Sequence, residues 1–479
     1  MENPINSNPG GSSTDPENSI NPNPGDSILD PGNPINPNPG DSSNPDISDG
    51  GTDSDTLLFT SNWVRQFGSE QNDQSYAIAI KDDQSIYLSG EINASTSQFT
   101  ANAFLASYTS SGDQNWLEEV GGQFNDRIDG LALTPSGQLV GGGITGGVVS
   151  LDDGETSSAY LVKYSDNNEV FEIAGSPDPN LSDTSGFGVA VSDEGKIYQV
   201  GQSRDKLTLQ LAPALSLLGI ESLDGFNSII NVYDANGTFE RSIDLNLTGN
   251  DITYNVAIDA DQNVYFTGFT NGSIRNALEL SRDELLQILQ GNNPGALLQS
   301  EPFITKFSPT GEQLWFQTID NIDFGEGEDI AIDSEGNVYV AGVFSSNLAG
   351  NVGQGNLDGF IAKYDTDGTR QWIKPIGTEG IDRVRITIDE SDRLIAAGYT
   401  GGSIFGHDNL GGTDAWLAHL DADGNVMTST QFGTDGFDSL WDVDTDASGH
   451  IYVTGSTFGS FGDENLGELD AWLAKYQLS

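Results

Sequence analysis

The stretch DGFIAKYDTDGTRQWIKPIG (residues 358–377) returns, loosely rewritten, as DAWLAHLDADGNVMTSTQFG (residues 414–433). Its front half appears once more as DAWLAKYQLS (residues 470–479). Anchoring on the residue that closes this motif gives Tyr108, Tyr164, Tyr233, Phe307, Tyr364, Leu420 and Tyr476, at intervals of 56, 69, 74, 57, 56 and 56 residues. The unit is therefore about 56 residues long, present in seven copies, with insertions in the third and fourth.

Each unit holds four short apolar runs separated by turn residues. The fifth copy reads EDIAID, SEGN, VYVAG, a Gly/Asn-rich loop, DGFIAKY, DTDGT and RQWIKPIG. Alternating β-branched and aromatic residues between Gly/Asp turns predict an antiparallel four-stranded meander. One such sheet cannot bury both faces alone, whereas radial repetition packs each sheet on the next. The expected fold is all-β, a seven-bladed propeller of four-stranded antiparallel blades. The seventh unit lacks a fourth strand after Tyr476, while SNWVRQFG (residues 61–68) is a surplus strand ahead of the first unit. Placing Trp63–Phe67 beside Ala471–Tyr476 completes the last blade, closes the ring and protects an open edge.

The chain divides into residues 1–55 and 56–479. The first part carries three 15-residue repeats keyed on Ile5, Ile20 and Ile35, with 10 of the 18 prolines and no Lys or Arg. So much proline and so little apolar surface predict a disordered acidic tail. Within the propeller, APALSLLGIESLDGF (212–226) and NALELSRDELLQILQGNNPG (276–295) carry helical signals. The second has a Ser281/Glu284 capping box and a leucine stripe.

A formal charge of −54 excludes nucleic acid and anionic lipid as partners. There is no cysteine, which removes disulfides, thiolate catalysis and Cys-zinc sites. No apolar run approaches a bilayer span, and the N-terminus lacks the basic and apolar regions of a signal peptide.

The motifs EDIAIDSEGNVYVAGVFSS, DGFIAKYDTDGTRQWIKPIG and LDAWLAKY resemble the bacterial β-propeller repeats known as SBBP repeats. The resemblance covers residues 56–479, is sharpest in repeats five to seven and is eroded in three and four. It implies a propeller on a bacterial secreted or surface protein, and it brings no catalytic motif.

The candidate chemistry is sparse. The three histidines, His407, His419 and His450, stand at variable positions of the repeat and give no triad. Calcium is the metal to consider. Asp365 and Asp367, Asp421 and Asp423, and the denser Asp442, Asp444 and Asp446 offer hard oxygen ligands. Hairpin chemistry explains the same residues, and an EF-type loop counted from Asp442 would place Val453 at its bidentate position. Alternate residues of DVDTD are expected to point outward together. Asp73, Asp126, Asp251 and Asp438 open the first strand in one register, with Asp382 one residue late. They are read as fixing the loop that enters the strand. The loops before the third strand share Asn356/Asp358, Asn409/Asp414 and Asn465/Asp470, a candidate ligand face on three neighbouring blades.

These features predict a non-enzymatic, extracellular or cell-surface binding or scaffold module. It is expected to be monomeric, with a protein or polysaccharide partner, no membrane insertion and no cofactor other than calcium. Two alternatives are carried: a lyase- or lactonase-type enzyme using the central channel, and a cytoplasmic scaffold adapted to high salt.

Overall fold

The computed structural model describes residues 58–479, apart from several short stretches and two longer ones, 207–223 and 271–299. The N-terminal repeats, Asn356 and almost all of the two helical insertions lie outside the described residues. Among the described residues every regular element is a strand, and no helix is long and apolar enough to cross a membrane.

Seven four-stranded antiparallel sheets follow one another. Blades 1 to 6 span Asn72–Val120, Asp126–Ala174, Ser182–Ile243, Asp251–Thr318, Phe324–Ile376 and Asp382–Phe432. Blade 7 takes three strands from Asp438–Leu478 and its fourth from Phe59–Phe67. In that seam Trp63 pairs with Lys475 and Phe67 with Ala471, the register expected from the repeat. Leu58 and Ser479 exchange backbone hydrogen bonds of 3.0 and 3.1 Å, extending the pairing of the seam.

The first strand of each blade contacts the first strands of both neighbours, and blade 7 meets blade 1. The seven first strands therefore form the inner wall and the fourth strands the periphery. Seven apolar clusters account for the seven blade interfaces. Trp416, Trp472 and Tyr265 are wholly buried among them. Cohesion comes from side chains pressed between sheets, as the repeat argument requires.

Two recurrent residues have structural reasons the pattern alone did not supply. The glycine of VYVAG lies where the second strand crosses the first: at Gly342 a methyl group would overlap the Glu326 carbonyl, and at Gly455 the Ser439 carbonyl. The glycine of each DTDG-type turn supports φ of 81° at Gly368 and 74° at Gly424. It also receives a tryptophan from the preceding blade. Trp315 packs on Gly368 and donates to the Thr366 carbonyl at 3.2 Å; Trp372 packs on Gly424 and donates to the Ala422 carbonyl at 2.9 Å. The turn is thus an inter-blade latch.

Asp382 stands one residue late for a local cause. Every other first strand carries a β-bulge against its second strand, for example Gly327/Asp329 and Leu440/Asp442. The first strand of blade 6 pairs with no register shift. It spans the same distance with one residue fewer.

Candidate functional site

Three regions carry the polar chemistry: the lower face of tight turns, the inner wall, and the upper face, where the loops before the third strands and the connections between blades lie.

On the lower face, the proposed calcium carboxylates make contacts within the fold. Asp365 Oδ1 accepts from the amides of Asp367 and Thr369, and its Oδ2 from Gln371. Asp421 does the same with Asp423 and Asn425. The side chains of Asp367 and Asp423 are exposed. Asp446 accepts from the amides of Ser448 and His450, the His450 ring and the Tyr452 hydroxyl. Burial works against its ionisation, but these donors outweigh it and hold the carboxyl below its usual range. Asp333 and Asp259 build the same turn with Tyr339 and Tyr265, and a lysine lies over each ring at 4.8–5.0 Å.

Asp442 and Asp444 share one face of their strand, as alternation requires, but that face is turned to blade 1 and not outward. Asp442 Oδ2 accepts from the Ile78 amide and Asp444 Oδ2 from the Ile80 amide, each at 2.9 Å. The reason is position: theirs is an innermost strand, and its sides face the adjacent first strands. Burial and the nearby Asp329 push Asp442 well above the carboxylate range; burial pushes Asp444 up to about 6.

The inner wall carries a belt of side chains that no sequence motif marks. Arg127 bonds Asp129 and lies over Tyr76 at 5.8 Å. Tyr76 donates to Glu91 and meets Trp441 edge-on at 5.9 Å. Trp441 in turn contacts Tyr399 and the Arg383 guanidinium. Arg383 and Arg385 both clasp Glu328. Tyr254 bonds Glu326 and packs on Phe187. The belt touches all seven blades. Burial opposes ionisation of Glu328, but its two arginines hold it below the usual range. Burial and the Glu328 charge push neighbouring Glu326 up to about 7. The available signal was rarity: with 18 basic residues in the chain, DRIDG and DRVRIT place three arginines on two inner strands.

On the upper face, the acids that open the first strands are buried and structural. Asp438 accepts from the Thr434 amide and from the Thr434 and Thr457 hydroxyls; Asp382 and Asp73 repeat the arrangement with Thr378 and Ser69. Asp414 and Asp470, expected on a ligand face, are also fully buried. Each accepts from its own loop, Asp414 from the Leu410 amide and Asp470 from the Leu466 amide. Asn409 and Asn465 fix the same loops by accepting from the Gly411 and Gly467 amides. Asp358 is buried at the equivalent position. These loops expose large apolar side chains, Leu410 at 53 % and Leu466 at 55 %, beside Phe437 at 46 % and Phe458 at 41 %, among the exposed acids Asp408, Asp435 and Glu468. The two phenylalanines meet edge-on at 6.2 Å.

The histidines stand apart: His407 bonds Ser429, His450 bonds Asp446, and burial holds His419 below its ordinary value. Among the described residues no group of three or more His, Asp or Glu is arranged to hold a metal ion.

No family model matches the chain. It is 26 % identical over 199 residues to an uncharacterized WD repeat-containing protein of Acanthamoeba polyphaga mimivirus, covering 36 % of this chain and 14 % of that one. It is 26 % identical over 200 residues to the regulatory protein FlaEY of Caulobacter vibrioides, covering 38 % and 20 %. The chain thus matches no more than a fifth of either relative. Among solved structures, the Pan2 WD40 domain of Neurospora crassa aligns with a TM-score of 0.46 at 8 % identity, covering 88 % of this chain and 96 % of that domain. YCF48 bound to D1 peptide gives 0.44 at 9 % identity, covering 89 % and 100 %. A gluconolactonase of Xanthomonas campestris gives 0.36 at 12 % identity, covering 89 % and 95 %.

Proposed function

We propose that this propeller is a non-enzymatic binding module of the SBBP-repeat type, bacterial in origin, acting at the cell surface or outside the cell. Its partner is a protein, met on the upper face of blades 6 and 7. The observation that carries the reading is the set Leu410, Phe437, Phe458 and Leu466. These are large apolar side chains, about half exposed, on loops whose backbones are tied down by Asp414, Asp438 and Asp470. Rigid loops that display aromatic and aliphatic anchors suit protein recognition. A polysaccharide is the competing ligand, for which Phe437 and Phe458 would serve as stacking surfaces.

The test is capture from the envelope fraction of the source cells by the full chain and by Phe437→Ser/Phe458→Ser. A protein retained by the wild type and lost by the variant, with unchanged thermal unfolding, supports the reading. Equal retention by both forms contradicts it. A scaffold adapted to high salt inside the cell would show stability set by any monovalent salt.

A second reading, a hydrolase or lyase in the channel, is favoured by the opposed shifts of Glu326 and Glu328, since neighbouring acids driven apart form an acid–base pair. Turnover of a lactone or uronide panel that disappears in Glu326→Gln would establish it.

A further inference from the structure

We propose that the upper face holds two calcium ions between blades, one shared by Asp414 and Asp438 and the other by Asp470 and Asp73. All four carboxylates are fully buried. In the first pair, Asp414 Oδ2 accepts from the Leu410 amide and from Gln431, while its Oδ1 has no hydrogen-bond partner. In the second, Asp470 Oδ2 accepts from the Leu466 amide and from Gln66, and its Oδ1 is likewise unpartnered. A buried carboxylate oxygen without a partner is costly, and more so beside a second carboxylate.

The unpartnered oxygens are aimed at their neighbours. Asp414 Oδ1 and Asp438 Oδ2 both lie 2.7 Å from the point a Cβ would take at Gly433. Asp470 Oδ1 and Asp73 Oδ2 lie 2.8 and 2.6 Å from the same point at Gly68. A glycine thus keeps open the place where the two carboxylates converge, at both interfaces.

The remaining interfaces show what the pair needs. The parallel bridges Ala101–Asn125 and Asn72–Leu469 place Asn102 beside Asp126 as they place Asp470 beside Asp73. There the third-strand residue is neutral. The sequence position equivalent to Asn102 before Asp251 is again an asparagine, Asn227. At the blade 5–6 interface both residues are again acidic, Asp358 and Asp382, but the three atoms nearest the Cβ point of Gly377 all belong to Asp358 and neither carboxylate is left with an unpartnered oxygen. The counter-charge is required where both residues are acidic, converge at the glycine and leave an oxygen unpaired. Two carboxylates with hydroxyls at hand, Thr434 and Thr457 on Asp438, are hard ligands. Burial disfavours magnesium, which keeps its waters, and leaves calcium. These residues are distinct from the turn aspartates Asp365 and Asp421, which spend their oxygens on their own turns.

The experiment is calorimetric titration of the chelator-treated full chain with calcium chloride, with magnesium chloride as control, alongside thermal unfolding. Two calcium equivalents and a calcium-specific rise in Tm are expected. Asp414→Asn and Asp470→Asn, which keep shape, should each lose one equivalent, and Gly433→Ala should lose the first with every carboxylate retained. Asp365→Asn/Asp421→Asn should keep both. No calcium heat, an equal response to magnesium, or unchanged stoichiometry in the Asn variants overturns the proposal. So does a higher Tm of Asp414→Asn and Asp470→Asn in chelator with no calcium response in the wild type, which would mark a shared proton as the occupant.

Discussion

The Ile78 amide donates to Asp442 across 364 residues of sequence, at 2.9 Å. With the Ile80–Asp444 bond it joins the inner strand of blade 7 to that of blade 1, the interface that closes the ring. Replacing Asp442 by Ala leaves the Ile78 amide without its acceptor at this seam. A loss of about 1–3 kcal/mol is expected, read as a lower midpoint in chemical denaturation. Amide exchange should accelerate first at Ile78 and the strand around it.

Gly342 lies against the Glu326 carbonyl with no room for a methyl group. Gly342→Ala must shift one strand off the other and should cost about 3 kcal/mol or more. Gly406, with φ of 90° and open space around its Cβ position, is the control: Gly406→Ala meets only backbone strain, of order 1 kcal/mol. Equal midpoints for the two variants would contradict the packing argument.

Trp372 couples blade 5 to the Asp421–Gly424 turn of blade 6. Trp372→Phe keeps the ring and loses the bond to Ala422, and should cost about 1 kcal/mol; Trp372→Ala should cost about 3. The near-ultraviolet circular dichroism band of the latched indole should fall in both.

Stability should decline as pH rises from about 5 to 7. Asp444, pushed up to about 6, and Glu326, pushed up to about 7, bind protons more tightly when folded than unfolded. Their contribution is therefore greatest below the ordinary carboxylate values and is lost as pH climbs through the raised ones. The depressed Glu328 and Asp446 act the other way, losing their contribution as pH falls below the ordinary range. A Tm maximum near pH 5 is expected, and Asp444→Asn/Glu326→Gln should flatten the fall between 5 and 7. A wild-type Tm rising steadily across that range would contradict the assignment.

The repeat made blade number, strand order and seam register legible, because strand alternation and turn glycines recur at fixed spacing. The belt was not legible. Tyr76, Asp129, Tyr254, Glu328 and Trp441 share a bulged position but no chemistry, so no motif links them. Nor was the destination of Asp442 and Asp444 visible: alternation assigns a face, while only ring closure says that the face meets blade 1. Asp414 and Asp470 looked like surface residues because they sit in Asn/Gly loops; the inward fold of those loops buries them and leaves Leu410 and Leu466 outside.

The seven-bladed ring is closed by the strand at Phe59–Phe67. The chain has no cysteine, so a pair can be introduced cleanly at Thr60 and Gln477, opposite each other in that seam and both exposed. Cα separations across antiparallel partners of about 4.5–5.5 Å fall within disulfide range. Mild oxidation of Thr60→Cys/Gln477→Cys should give a monomeric intramolecular disulfide in near-quantitative yield, with Tm above that of the reduced form. Free thiols after oxidation, or cross-linking between molecules instead, would contradict the closed seven-bladed ring.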